Sequence, residues 1–232
     1  MTNDRMILIV PPFTIKWFGP GEHCTDAVDA DLLLIDHGTW EDRAIEYAQD
    51  ALLLTEPELK GYTWCAHNAI IRGKNAEDRT MVSGMGPGGY ERRPLYDYKH
   101  HLYAVIHFEV NEDLRANAVQ YDEACVNLDY GWSQYLFIGV DDLTGVKLAC
   151  SCGGAIICST HATLVEMGLG LFPDRPPSLV VPARMALWCD AKVPHGIVVG
   201  PPTSIIVTPG IPRNNVGPPT TIIVTPGIPR EN

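Results

Sequence analysis

Residues 155–170 read AIICSTHATLVEMGLG, a short apolar run that passes into a helical pattern. The spacing predicts a helix over Ile156 to Leu169 that begins near Cys158. Backbone N–H groups at a helix N-terminus stabilise a thiolate, so a cysteine there can become a nucleophile near neutral pH. Such a thiol still needs a general base, and a histidine carried on a strand is the usual partner. As a plain packing residue, Cys158 would be a small buried hydrophobe, which is how most free cysteines are used.

Upstream of that helix the chain alternates between two periods. Asp31 to Ile35 is a short apolar run suited to a buried strand, and it leads through Asp36, His37 and Gly38 to Thr39, a suitable N-cap. Trp40, Ala44, Ile45, Ala48, Leu52 and Leu53 then gather on one helical face, predicting a helix from about Trp40 to Leu54. Tyr62 to Arg72 (YTWCAHNAIIR) is rich in aromatic and β-branched residues and reads as a strand, with Cys65, His67 and Ala69 on one face. Thr80 to Ser83 reads as another strand, stopped by Gly-Met-Gly-Pro-Gly-Gly at 84–89, which lacks the lysine and hydroxyl residue of a phosphate loop and is a turn. Leu102 to Val110 alternates as a half-buried strand, and Glu112 to Leu128 returns to helical spacing. Strands in succession, with helices before and after, give an α+β class: an antiparallel sheet packed against helices.

Composition narrows the function. The chain has 232 residues, 46% of them hydrophobic and 19% charged, enough for a packed core. Its 17 Lys plus Arg against 28 Asp plus Glu give a net charge of −11, the wrong sign for general binding to a phosphate backbone, so nucleic acid is not expected as a partner. No apolar stretch is long enough for a membrane span, and the run after Arg5 stops at Pro11-Pro12, so no signal peptide is expected and synthesis is cytoplasmic. The seven cysteines are an odd number in a chain too long to depend on disulfides, and reduced thiols are expected. Cys150, Cys152 and Cys158 lack the paired C-x₂-C spacing of structural zinc sites, so neither metal nor cofactor is expected.

The order of motifs resembles the circularly permuted papain-like fold of the NlpC superfamily, in its YaeF/YiiX-like group. There an acidic-led apolar strand precedes a helix, a histidine follows on a "SHVGI"-like strand, and the nucleophile comes late in a "CSELV…G" helix. This chain has ADLLLID at 30–36, AHNAI at 66–70, CSTHATLV at 158–165 with Gly168, and Pro182 in SLVVPARMALW. The resemblance covers about Asp31 to Trp188. It implies Cys158 as nucleophile, His67 as base, and a cysteine peptidase or amidase acting on amide or ester bonds of cell-wall peptides or lipids. The family often places a glutamate on the next strand to orient the histidine; Ser83 stands there in this chain. His161, one turn after Cys158, is a reserve base or pocket residue, and His37 could line a cleft.

The domain is expected over residues 1–195, with 1–30 as an irregular lead-in, followed by a Pro/Gly-rich tail at 196–232. That tail holds GPPTSIIVTPGIPR at 200–213 and GPPTTIIVTPGIPR at 217–230, a 17-residue tandem repeat differing only at Ser204 and Thr221. Two short copies cannot build a solenoid core. The tail reads as a solvated spacer, or alternatively as a strand-adding arm to an assembly partner. The second function class is therefore a non-catalytic binding or structural module attached through that tail.

Overall fold

The computed structural model describes residues 11–36, 45, 49–50, 52–131, 155–171 and 176–194, with the short tail strands at 205–206 and 223–224. Its centre is a six-stranded sheet of β1 (Phe13–Phe18), β2 (Leu32–Ile35), β3 (His67–Lys74), β4 (Thr80–Gly86), β5 (Gly89–Pro94) and β6 (Tyr103–Phe108). Every neighbour pairs antiparallel, in the order β1-β6-β2-β3-β4-β5. Among the described residues the helices α1 (Glu112–Ala124), α2 (Cys158–Gly168) and α3 (Pro182–Trp188) accompany it. The fold class is α+β, as the succession of strands predicts.

The unbroken apolar run Leu32-Leu33-Leu34-Ile35 exists because both faces of the sheet are covered. Leu32, Leu34, Ile70 and Ile106 pack with Ala118, Ala162, Val165 and Ala183 of the helices. Leu33, Ile35, Ala69, Ile71, Val82 and Val105 form a second layer with Cys24, Leu95 and Tyr98 from connecting segments.

Four expectations need correction. Part of the supposed irregular lead-in is an edge strand: in FTIKWF, Phe13, Ile15 and Trp17 turn inward, and β1 pairs with β6 from Phe13↔Phe108 to Phe18↔Tyr103. The prolines at 11 and 12 precede the strand, where no ladder N–H is lost. The strand expected from Tyr62 begins only at His67, because 62–65 form turns, with Cys65 N–H donating to Tyr62 O at 3.1 Å. The glycine segment at 84–89 is mostly strand: β4 continues to Gly86, which pairs with Gly89 across a Pro87-Gly88 turn, and β5 follows. Gly89 takes φ +97° at the return, the left-handed region that glycine enters without penalty. Finally, α1 stops at Ala124, four residues short of the expected end. Of the helix expected over 40–54, Ile45, Gln49, Asp50 and Leu52 are described as helical, while Leu53 and Leu54 already form a turn.

Gln49 ties that segment to the site. Its Nε2 donates to Thr63 O and Cys65 O (3.3 and 3.0 Å), and its Oε1 accepts the Ala183 N–H at 2.8 Å. One buried amide thereby fixes the approach to β3 and the first turn of α3.

Helices α1 and α2 pack tightly at Gly168, where an added Cβ would lie 2.5 Å from Ala118 Cα and 2.8 Å from Ala118 N. Both are backbone atoms, so no side-chain rotation relieves the clash. Gly168→Ala should therefore destabilise the fold by about 1–3 kcal/mol, the usual cost of overpacking. A urea midpoint equal to that of the unsubstituted chain would show that the helices separate freely at this point.

Candidate functional site

Cys158 is the first residue of α2 and is fully buried; its N-cap, Ile157, has no side chain able to take up the first-turn amides. The histidine of the expected dyad, His67, opens β3 and is half-buried. Its imidazole leans to the Ala69 side of the strand, where a Cβ built on Gly84 would lie 3.4 Å from both Ala69 Cβ and His67 Nε2. Glycine at 84 leaves that ring its space.

Tyr98 touches His67 and lies within electrostatic range of Cys158. Its ring stacks on His67 with centroids 6.5 Å apart and planes 25° from parallel, while His101 meets its edge and the Arg93 guanidinium lies 5.8 Å from its centroid. Burial pushes the Tyr98 phenol up; Arg93 opposes this, and Glu91, Asp97 and Cys158 add to the rise. The phenol is therefore a neutral donor at neutral pH, within the electrostatic reach of Cys158. Cys65 also lies within electrostatic range of Cys158. Burial raises its thiol, a backbone hydrogen bond at Ile35 opposes this and nearby Cys158 adds to the rise; its Sγ donates to His67 O and accepts from Asn68 Nδ2, both at 3.4 Å. Cys65 remains a thiol.

Ser83 and His161 come together elsewhere. Ser83 lies opposite Ile70, on the helix-facing side of β4, and its hydroxyl donates to Asp122 Oδ1 at 2.6 Å. His161 Nε2 lies 2.8 Å from the same oxygen, Tyr90 Oη donates to Asp122 Oδ2 at 2.8 Å, and Arg72 pairs with that carboxylate. The placement of Ser83 beside His67, implied by the family pattern, is thus corrected: pleat alternation turns Ser83 to the face that Ile70 occupies, while His67 shares the face of Ala69. Burial alone would raise the Asp122 carboxyl, but the hydrogen bonds from His161, Ser83 and Tyr90 hold it at about 2. His161 is fully buried, and its Nδ1 has no hydrogen-bond partner among the described residues.

His37, Cys150 and Cys152 lie outside the described residues. Among the described residues no group of His, Cys, Asp and Glu could hold a metal ion, and no helix is long and apolar enough to cross a membrane. Sequence reading missed Tyr98 and Asp122. Tyr98 sits in a 3₁₀ turn at Leu95–Tyr98, where no period marks an inward side chain. Asp122 did carry a signal, since it follows Ala118 by four residues and so shares that residue's buried face. No protein-family model matches the chain, and no curated protein matches it.

Proposed function

We propose that this protein is a thiol hydrolase of the permuted papain-like kind, cleaving amide or ester bonds through an acyl-cysteine intermediate. Cys158 is the nucleophile and His67 the base. The observation that carries the reading is that a cysteine opens helix α2 and a histidine opens strand β3, with the Tyr98 ring stacked on the histidine and within electrostatic range of the cysteine. His67 takes the thiol proton, the thiolate attacks the carbonyl carbon, and the leaving amine or alcohol departs with that proton. Water then cleaves the thioester and restores the thiol. The first-turn amides of α2 face the oxyanion formed in each half of the cycle. The substrates are peptide or lipid amides and esters.

The test is alkylation by iodoacetamide at neutral pH with the modified cysteine read by mass spectrometry. Cys158 should react fastest, and His67→Ala should slow it. A Cys158 no more reactive than Cys125, whose thiol burial pushes up to about 11, would sink the reading.

A second reading, a non-catalytic module attached through the tail, is favoured by one observation. The two repeats contribute β7 (Ile205–Ile206) and β8 (Ile223–Val224), which pair antiparallel, and β7 lies alongside edge strand β1. In that case the tail joins a partner at the sheet edge, and Cys158 is a core thiol.

A further inference from the structure

A second constellation lies away from Cys158, on the loop-covered face of β1 and β6. Thr14 pairs with His107 and Lys16 with Val105, and successive odd or even residues of a strand share a face, so these four side chains stand together. The segment carrying Cys24, Asp26 and Ala27 folds over them, with Asp31 at the base, and encloses a cleft of about 190 Å³.

His107 is held in this cleft by a built support. Its Nδ1 lies 2.9 Å from Asp31 Oδ1, and the Asp31 side chain is only 1% exposed. Asp31 is itself fixed: Oδ2 accepts the Val28 N–H at 3.0 Å, and Oδ1 accepts from Arg115 Nη1 at 3.2 Å. Arg115 also donates to Asp29 O at 2.6 Å and to Phe108 O at 2.5 Å. Arg115 Nη2 stands 3.4 Å from His107 Nδ1, but its short bond is to Phe108 O, so the Nδ1 proton points at Asp31. That fixes the tautomer. Nε2 is the ring nitrogen turned away from Asp31, on a side chain 39% exposed.

The rest of the lining carries one group of each sign. Lys16 and Asp26 pair with each other at 30% and 60% side-chain exposure, and Cys24 Sγ donates to Asp26 Oδ1 at 3.4 Å. An exposed pair of this kind contributes little and opens readily to a ligand that satisfies both ends. Thr14 adds a hydroxyl, and Val105 and Ala27 add apolar wall.

We propose that this cleft is a binding site for a small zwitterion, an α-amino acid or the terminal residue of a short peptide. The ligand ammonium lies between Asp26 and His107 Nε2, and its carboxylate meets Lys16 and the Thr14 hydroxyl. Neither a simple anion nor a simple cation satisfies the lining, because each leaves one member of the Lys16–Asp26 pair facing like charge.

The experiment is a titration of the full chain with L-alanine, N-acetylalanine and alaninamide, following the imidazole resonances of His107 by NMR, assigned by their loss in His107→Gln. Alanine should give a saturable shift, with the two half-charged analogues at least tenfold weaker. Asp26→Asn and Lys16→Met, both on exposed side chains, should each weaken alanine at least tenfold, while Cys158→Ala leaves binding unchanged. No saturable shift with alanine, or equal binding of all three ligands, overturns the proposal. Because the readout is binding, its failure is separate from any failure of Cys158 to react.

Discussion

Asp122→Ala should be the most destabilising single substitution outside the apolar core, at about 3–5 kcal/mol. The carboxylate is fully buried and accepts from Ser83, Tyr90, His161 and Arg72, so it joins β3, β4, β5, α1 and α2. Removing it leaves a guanidinium only 9% exposed, a buried imidazole and two hydroxyls without their shared acceptor. Asp122→Asn keeps the shape but places an amide NH₂ against donors on one side or the other, and should recover only part of the loss. The same group sets an acid limit. Its folded value of about 2 lies below the ordinary 3.8, so its contribution is complete above about pH 4 and is lost as pH falls toward 2. The shift corresponds to about 2 kcal/mol. Urea unfolding at pH 7 and pH 3 should therefore show a loss in the unsubstituted chain that is clearly smaller in Asp122→Ala, where the lowered carboxyls of Asp26 and Glu123 remain. An equal pH dependence in both chains would mean that another carboxylate governs acid stability.

How far the sequence reveals this fold depends on whether burial follows a period. Leu102 to Val110 and the run at 31–35 are legible because their side chains alternate or saturate with apolar residues, and β6 and β2 lie where they are expected. The start of α2 at Cys158 is legible for the same reason. The hairpin β4–β5 is not: three glycines hide a strand end whose close packing leaves little room for side chains, as at Gly86, where a Cβ would meet Glu91 Oε1 at 2.6 Å, and Gly89, where it would meet Leu128 O at 2.9 Å. Strand β1 is hidden in another way, because Lys16 and Thr14 on its outer face make it read as a polar lead-in. Those residues belong to the cleft around His107. At the candidate site, Cys158 and His67 are visible as residue types on the right elements. Ser83 is misplaced because assigning it to His67 requires the register and facing of β3 against β4, which only the pairing Ile70↔Ser83 supplies.

Turnover of a chromogenic ester should depend on Cys158 and His67 far more than on any other described residue pair. With 4-nitrophenyl acetate, the acyl group passes to the Cys158 sulfur as 4-nitrophenolate leaves, giving a burst of one equivalent per chain before slower thioester hydrolysis. Cys158→Ala should abolish the burst. His67→Ala should slow it by about 10²–10⁴-fold, the usual contribution of a general base. The other described cysteines are poor substitutes for physical reasons. Burial pushes the Cys24 and Cys125 thiols up to about 11, and it raises Cys65 and Cys189 further. At neutral pH these four are thiols, and thiols attack esters slowly. Cys158 is buried as well but differs in standing at the N-terminus of an eleven-residue helix, where aligned peptide dipoles favour the anion. The acetyl group should consequently be recovered on the peptide containing Cys158. Acetyl on Cys24 or Cys125, or a burst that survives Cys158→Ala, would assign the chemistry to another thiol and leave Cys158 as part of the core. A burst that is lost in Cys158→Ala yet unaffected by His67→Ala would instead move the base to a different residue, with the helix N-terminus supplying the activation by itself.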